Sequence, residues 1–279
     1  MPPHTELARA KINLALHIVG RRSDGYHELD SIVAFAGIAD RLTFERADDW
    51  HLDLTGPFAA ELANAPDNLV LKAARGFVQT FADEARYHIS LEKHLPVASG
   101  IGGGSADAAA TLRALTRLSG KAVDPGRLSA LAASLGADVP VCLTGKSCRM
   151  RGIGERIDLL PDLAPMSAVL VNPRREVATA QVFARLALKP GDQAFAGLEA
   201  GADLSSCRND LAPPALAVAP VIGEVIAALQ DKAGLRFARM SGSGATCFGI
   251  FAWTAAAEAA ARDIATAYPG WWVMPTVIG

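Results

Sequence analysis

Residues 95–109 read LPVASGIGGGSADAA, and this stretch decides how the rest of the chain is interpreted. Glycines at positions 100 and 102–104 lead into Ser105 and an alanine-rich run that is typical of a helix. Glycine adopts positive φ angles and lets a ligand approach the backbone closely. A helix with Ser105 as its N-cap would direct free N–H groups and the positive end of its dipole towards that ligand. The stretch therefore favours a phosphate-binding loop over an ordinary strand-to-helix turn.

Two well-known phosphate-binding motifs do not fit this spacing. A P-loop requires G-x-x-x-x-G-K-[ST], and no lysine follows these glycines. A dinucleotide fingerprint requires G-x-G-x-x-G, whereas the run that starts at Gly100 has Ser105 at the last position. The run also lies after several other predicted elements, not in an opening βαβ unit. The loop therefore belongs to neither class.

Composition limits the classes of partner. The chain has 279 residues, of which 51% are hydrophobic and 20% charged, as in ordinary globular proteins of one large or two smaller domains. Because the net charge is −2, neither nucleic acid nor an anionic membrane is an expected partner. No 18-residue apolar run or signal-peptide pattern is found, so a cytoplasmic location is expected. The oligomeric state stays open between a monomer and a weak dimer.

Metal-ligating residue types show no ligand spacing. The cysteines lack a C-x-x-C pattern, so buried free thiols in a reducing cytoplasm are expected and a metal site is not. These cysteines are Cys142, Cys148, Cys207 and Cys247. The histidines expected at the surface for the same reason are His4, His51, His88 and His94.

Hydrophobic periodicity predicts a mixture of strands and helices. Residues 11–19 alternate as a half-buried strand, with Lys11 and Asn13 on one face. Further predicted strands are 32–35, 42–45, 51–54, 87–91, 169–171, 236–240, 247–251 and 272–277. Predicted helices are 67–81, 105–118, 124–135, 178–186, 220–233 and 255–267. Because strands and helices do not alternate strictly, the fold class is α+β.

Three segments together resemble a known family. Residues 10–14 (AKINL), 96–109 and 241–246 (SGSGAT) are similar, in this order, to the three motifs of the GHMP kinases, which phosphorylate small alcohols. Four longer segments resemble one branch of that family, which acts on a cytidine-diphosphate-linked methylerythritol of the non-mevalonate isoprenoid pathway. They are AKINLALHIVGRRSDGYHEL, PDNLVLKAA, GADVPVCLTG and RGIGE. The resemblance is weakest over residues 191–219.

The resemblance implies an architecture. Residues 1–155 would form an ATP-binding domain with a mixed sheet and helices. Residues 156–279 would form a ferredoxin-like α/β sandwich. The active site would lie in the cleft between these two domains.

The resemblance also implies ATP and Mg²⁺, with the glycine loop around the phosphates. The implied contacts are Pro96, Val97, Ala98, Ser99, Gly100, Ile101, Gly102, Gly103, Gly104, Ser105 and Ala106, with Asn68 and Lys93 near the adenosine end. No protein side chain is assigned as a metal ligand. Asp107, placed in the first helical turn, is either a helix-stabilising residue or a ligand of the ion. The SGSGAT segment borders the phosphates or is a plain hairpin turn.

Two residues are implied as catalytic. Asp138 matches the base that accepts the proton of the substrate 2-hydroxyl, and Lys11 matches the cation that orients it and offsets developing charge. The residues alone favour a helix-capping role for Asp138 and a solvated strand position for Lys11.

Five further residues are implied as substrate contacts. Asn13 would bind the alcohol or the diphosphate. Tyr26 would stack on the cytosine base, His27 would bind its edge, and Phe183 would close the other side of the stack. Thr179 lies one helical turn before Phe183, near the substrate. The alternative for Phe183 is that it packs in the hydrophobic core as an ordinary helix residue.

Two other functions stay open at this point. A different GHMP kinase would share the loop and the catalytic pair, and the Tyr26–His27 pair would then be incidental. A non-catalytic sensor on the same scaffold is the other, although such sensors can lose catalytic groups and both Lys11 and Asp138 are present here.

Overall fold

The computed structural model describes residues 2–62, 68–161, 163–199 and 201–279. The chain divides into two compact units, each built from several segments. The first unit comprises Met1–Ala10, Ile38–Val97 and Gly102–Gly145, and the second comprises Lys11–Gly37, Ala98–Ile101 and Lys146–Gly279. The predicted single boundary between residues 155 and 156 stays a prediction.

Two long strands each contribute residues to both units. They are β1 (His4–Arg21) and β2 (His27–Ala47), which pair with each other. The separate strands predicted at 32–35 and 42–45 are parts of β2. The prediction of a half-buried strand at 11–19 is wrong, because every residue from Ala10 to Ile18 is buried. The polar residues on one face of the strand indicated that this face is exposed to solvent. The burial of Lys11 and Asn13 could therefore not be predicted from the sequence.

The first unit combines part of the β-sheet with helices. Strand β4 (Arg86–Glu92) lies between the edge strand β3 (His51–Thr55), to which it is parallel, and β2, to which it is antiparallel. The helices are α1 (Ala59–Leu62), α2 (Leu69–Phe81), α3 (Gly103–Leu118), α4 (Pro125–Leu135) and α5 (Val139–Thr144).

Local signals set two of these helices. Asp124 caps α4 through the Arg127 N–H, with proline at the first helical position, as predicted. Asn68 caps α2 in the same way, whereas Asp67, the other residue of that predicted start, lies outside the described residues. Helices α2, α3, α4 and α5 pack on one another. Helix α5 was not predicted from the sequence, because Pro140 was interpreted only as a residue that ends the preceding helix.

The second unit contains a ferredoxin-like sandwich, which confirms the prediction. Its four strands are β7 (Met166–Asn172), β8 (Leu235–Met240), β9 (Cys247–Phe251) and β10 (Trp272–Ile278). They are ordered β10-β7-β9-β8 and are antiparallel. In chain order this arrangement is 4-1-3-2 with helical crossovers, the split βαβ pattern of ferredoxin-like folds.

The crossover helices cover the sheet with apolar side chains. They are α6 (Thr179–Ala184), α7 (Ala212–Val218), α8 (Val221–Gln230) and α9 (Thr254–Ala267), with a short 3₁₀ turn at Leu204–Ser206. Ile222 and Val225 of α8 and Ile264 of α9 join strand residues in one buried cluster. Two strands missed from the sequence, β5 (Cys148–Gly152) and β6 (Arg156–Leu159), pair with each other, and β5 also pairs with β2.

Two further expectations concern the whole chain. All four cysteines are free thiols, and three are buried as predicted, whereas Cys207 is half-buried. In the part of the chain that the structure describes, every helix is too short or too polar to cross a lipid bilayer.

Candidate functional site

Lys11 is a buried cation held by a chain of hydrogen bonds in the second unit. Lys11 is only 3% exposed, and its Nζ donates to Oδ1 of Asn13 at 2.9 Å. The Asn13 amide nitrogen donates to Oγ of Ser31 at 2.8 Å, and Ser31 donates to the Ala15 carbonyl at 2.6 Å. Lys11 is therefore not the solvated strand lysine that the residues alone allowed. The sequence gave no signal for Ser31, which lies on another strand.

The glycine loop and the SGSGAT segment meet backbone to backbone within the second unit. Gly100 has a φ of +76°, and a Cβ atom there would lie 2.5 Å from the Ser241 carbonyl oxygen. The Ser241 hydroxyl donates to the Gly100 carbonyl at 3.1 Å and accepts from the Asn13 N–H at 3.1 Å. Thr246 N–H donates to the Ser99 carbonyl at 3.0 Å. Glycine at position 100 is thus required by both its φ angle and its contacts.

The SGSGAT segment is a hairpin loop, as one alternative held, because it joins the antiparallel strands β8 and β9. The Asn209 amide fixes it by donating to the carbonyls of Met240 and Gly242, at 2.8 and 2.9 Å. The hydroxyls of Thr179 and Ser243 lie 2.9 Å apart. The first residue of α6 is thereby tied to this loop.

Helix α3 in the first unit begins two residues earlier than predicted. Its N-cap is Gly102, with a φ of +66° and no side-chain capping bond, so the prediction that Ser105 is the N-cap is wrong. The left-handed conformation at Gly102 ends the loop and starts the helix directly at Gly103. Because the first N–H groups of a helix have no partner within it, the first turn can donate to an anion.

A buried ion cluster lies beneath the start of α3. Nζ of Lys93 donates to Oδ2 of Asp40 at 2.5 Å and to Oδ2 of Asp107 at 2.7 Å. The other Asp40 oxygen accepts from the backbone N–H groups of His94 and Leu95, at 2.6 and 2.8 Å. Lys93 is thus held by two carboxylates, and its contact with ATP stays a prediction. Asp40 was missed because its partners are distant in sequence.

The charges of this cluster are strongly perturbed. Burial raises the pKa of Asp107 to about 7, although the Lys93 ammonium acts in the opposite direction. Burial disfavours the charge of Lys93, but the two carboxylates outweigh it and raise the lysine pKa. Asp107 lies beyond the first helical turn, contrary to the sequence interpretation. It forms an ion pair with Lys93, and its Oδ1 has no hydrogen-bond partner among the described residues.

Asn68 is also engaged within the protein. Its side chain accepts the Val70 N–H at 2.9 Å as the N-cap of α2. This bond explains why asparagine precedes the helix. A contact between Asn68 and ATP stays a prediction.

His27 and Phe183 form an aromatic pair in the second unit. Their ring centroids are 5.0 Å apart with a tilt of 42°. Nε2 of His27 is buried and has no hydrogen-bond partner in the described part of the chain. Burial and the nearby Arg21 lower the His27 pKa, which favours the neutral ring. Tyr26 beside it is 61% exposed, whereas Phe183 packs against the apolar cluster as well as against His27.

Asp138 stands at the N-cap position of α5 but makes no side-chain capping bond. The capping role that the residues alone favoured is therefore not the one it has. Asp138 belongs to the first unit and Lys11 to the second, and their action as a catalytic pair stays a prediction.

A ferredoxin-like unit, a glycine loop that leads into a helix and a buried lysine agree with the expected class of small-molecule kinases. The chain matches the N-terminal domain of the GHMP kinases over residues 68–146 and their C-terminal domain over residues 192–270. It belongs to the GHMP kinase family.

Relatives of high identity within that family share one name. A Rhodopseudomonas palustris protein is 52% identical over 282 residues, covering 95% of this chain and 94% of its own. A Parvibaculum lavamentivorans protein is 51% identical over 286 residues, covering 99% of each. Both are named 4-diphosphocytidyl-2-C-methyl-D-erythritol kinase.

Solved structures agree with this placement. A crystal structure of 4-(cytidine 5'-diphospho)-2C-methyl-D-erythritol kinase superposes with a TM-score of 0.82 at 36% identity, covering 99% of this chain and 100% of that one. Homoserine kinase from Cytophaga hutchinsonii superposes with a TM-score of 0.73 at 21% identity, covering 100% and 95%. The second likeness concerns the fold alone.

Proposed function

We propose that this protein transfers the γ-phosphoryl group of ATP to the 2-hydroxyl of 4-diphosphocytidyl-2-C-methyl-D-erythritol, a step of isoprenoid precursor synthesis. The observation that carries the choice of substrate is His27 beside the Phe183 ring, because its buried Nε2 has no hydrogen-bond partner among the described residues. A cytosine edge supplies the missing hydrogen-bond partner. The names of the relatives support the same substrate.

The phosphoryl donor would bind at the glycine loop. Residues 96–106 wrap the ATP phosphates, and the first turn of α3, which no side chain caps, donates N–H groups to them. Phosphoryl transfer depends mainly on positioning and electrostatic stabilisation, which fixed backbone donors supply. The junction between Gly100 and Ser241 holds the loop in the required shape.

Mg²⁺ would enter as part of the ATP complex. Among the described residues, His, Cys, Asp and Glu side chains form a single group of three with metal-ligand spacing, and it contains two imidazoles. Mg²⁺ prefers oxygen ligands and retains several waters. We therefore infer that phosphate oxygens and water provide most of its ligands.

Asp138 and Lys11 would carry the chemistry. The 2-hydroxyl oxygen forms a bond to the γ-phosphorus as the bond from that phosphorus to the bridging oxygen of ADP breaks. Asp138 accepts the hydroxyl proton, a contribution worth roughly 10²–10⁴-fold. The Lys11 ammonium offsets the charge on the reacting oxygens. Asn13 orients Lys11 through Oδ1 and keeps a second amide hydrogen for the substrate.

The acceptor would be recognised through its cytidine. Tyr26 is exposed and stacks on the base, His27 binds the base edge, and Phe183 closes the stack. Thr179, tied to Ser243, lies at the start of α6 for contact with the remainder of the substrate. Stacking on a nucleobase is worth roughly 1–3 kcal/mol in single-strand binders.

The organisation of the chain fits this proposal. The two family matches fall on either side of residue 155, which supports domains at 1–155 and 156–279. The four free thiols support a reducing cytoplasmic environment.

The test is ADP release with four alcohols at equal concentration. We expect turnover with 4-diphosphocytidyl-2-C-methyl-D-erythritol and only background with mevalonate, homoserine or galactose. Free cytidine nucleotides should compete with the acceptor. Robust turnover of another alcohol, with no effect of cytidine nucleotides, would assign a different GHMP kinase. ATP binding with no turnover of any alcohol would indicate a sensor.

A further inference from the structure

Two histidines and an aspartate converge on the solvent face of the sheet in the first unit. In the parallel pair of β3 and β4, His51 is the direct register partner of His88, and Asp53 follows two residues along β3 on the same face. Nε2 of His51 lies 3.0 Å from one Asp53 oxygen, and Nε2 of His88 lies 2.8 Å from the other. The imidazole centroids are 5.0 Å apart. The sequence interpretation missed this cluster because strand register creates it.

We propose that His51, Asp53 and His88 form a binding site for a divalent transition-metal ion of the zinc type. One ligand atom from each residue lies within 4.8 Å of the other two. Zinc bonds of about 2.0–2.1 Å in a tetrahedral arrangement place ligand atoms about 3.3 Å apart. The cluster is therefore close to the required geometry, and water would occupy the remaining position.

Small side-chain movements complete the fit. The three side chains are 67%, 50% and 36% exposed for His51, Asp53 and His88, so they can rotate without disturbing a core. The two strands fix their backbones, so little chain entropy is lost when an ion binds. The ion would replace the protons that the imidazoles share with Asp53, since a histidine must be deprotonated to bind a metal.

The donor set selects the kind of ion. Imidazole nitrogen suits zinc, copper and nickel, whereas magnesium and calcium prefer oxygen. Glu45 of β2 is the register partner of His88 on its other side and places another carboxylate on this face. The additional negative charge favours a bound cation on this face.

The expected consequence of ion binding is that the edge strand β3 is held in place against β4. β3 supplies two ligands and β4 one, so a bound ion cross-links the sheet at its margin. Exposed edge strands are sites of unwanted pairing, and a clamp holds this one in register. Because the ion binds only the folded sheet, it raises the melting temperature by linkage.

The experiment is isothermal titration of the full-length, tag-free protein with Zn²⁺, and with Mg²⁺ as the comparison metal. We expect one Zn²⁺ per chain at the cluster, no saturable Mg²⁺ binding, and a higher melting temperature with Zn²⁺. His51→Gln, Asp53→Asn and His88→Gln should each weaken Zn²⁺ binding at least tenfold, roughly the loss seen even for outer-shell changes. The matched control is His94→Gln, which removes another exposed histidine paired with a carboxylate, Glu92, at 3.0 Å.

Two results would overturn the proposal. One is Zn²⁺ affinity unchanged in the three cluster variants. The other is an equal loss in His94→Gln, which marks adventitious binding to surface histidines. Should a variant fold poorly, as judged by its metal-free circular dichroism, imidazole NMR of the unaltered protein decides the matter. Zn²⁺ must then shift the His51 and His88 resonances and leave those of His94 in place.

Discussion

Nζ of Lys11 donates to Oδ1 of Asn13 at 2.9 Å, and this bond helps to hold a buried cation at the end of a flexible side chain. Ser31 fixes Asn13 in turn through the amide nitrogen. The position of the Lys11 charge therefore depends on a residue that need not touch any substrate.

Ser31→Ala should lower kcat by about tenfold while the KM for ATP changes little. The substitution leaves the Asn13 amide and the Ala15 carbonyl without their buried partner, a loss of about 1–3 kcal/mol. Steady-state kinetics of the variant test this. Ser90→Ala on the solvent face of β4 is the control and should behave like the unaltered enzyme. An unchanged kcat in Ser31→Ala would show that Lys11 is held without the chain of hydrogen bonds.

Gly100→Ala should destabilise the protein by more than about 2 kcal/mol, because the methyl group meets the Ser241 carbonyl and the positive φ adds strain. Urea denaturation measures the effect. Gly120→Ala is the matched control, since Gly120 has a φ of +62° with no atom within 4 Å of a Cβ there. The account fails if both substitutions cost the same, because the cost would then come from φ alone.

Asp107→Asn should change how stability depends on pH. The pKa of Asp107 is raised to about 7 in the folded protein from 3.8, so between these values the native state binds more protons than the unfolded state. Through Asp107, stability is therefore lost as pH rises from about 4 to about 7. The free energy of unfolding, measured by denaturation at pH 5 and pH 7, should fall less between these values in Asp107→Asn than in the unaltered protein. The same fall in both proteins would contradict a raised pKa of Asp107.

His27→Phe should raise the KM for the cytidine-linked acceptor at least tenfold and leave the KM for ATP unchanged. Phenylalanine preserves the ring contact with Phe183 but removes Nε2, which has no hydrogen-bond partner in the part of the chain that the structure describes. Initial rates over both substrate concentrations separate the two constants. His4→Gln, at the half-buried start of β1, serves as the control. A rise in both KM values would mean that His27 supports the fold and not the base.

Local patterns predicted the sandwich well. The run at Cys247–Phe251 has the predicted bounds, because a fully apolar strand between a glycine turn and a helix leaves little choice. Likewise, Asp124 followed by proline predicted the start of α4. Such features depend on neighbours in sequence, and they could be predicted for that reason.

Long-range contacts could not be predicted in this way. The family resemblance implied Lys93 as an ATP contact, which stays a prediction, and nothing adjacent to it in sequence indicates Asp40 and Asp107 as its partners. The proximity of His51 and His88 depends on the register between β3 and β4. The start of α3 at Gly103 depends on the left-handed Gly102, which no side-chain capping signal marks.

The most direct test is ³¹P NMR of the reaction of ATP with 4-diphosphocytidyl-2-C-methyl-D-erythritol, for the unaltered protein and for Asp138→Asn. The account predicts a new phosphomonoester on the tertiary 2-hydroxyl, formed at least about 10²-fold more slowly by the variant. ATP binding to the variant, measured by titration, should be retained. A phosphate on another hydroxyl, or nearly full turnover in Asp138→Asn, would contradict it.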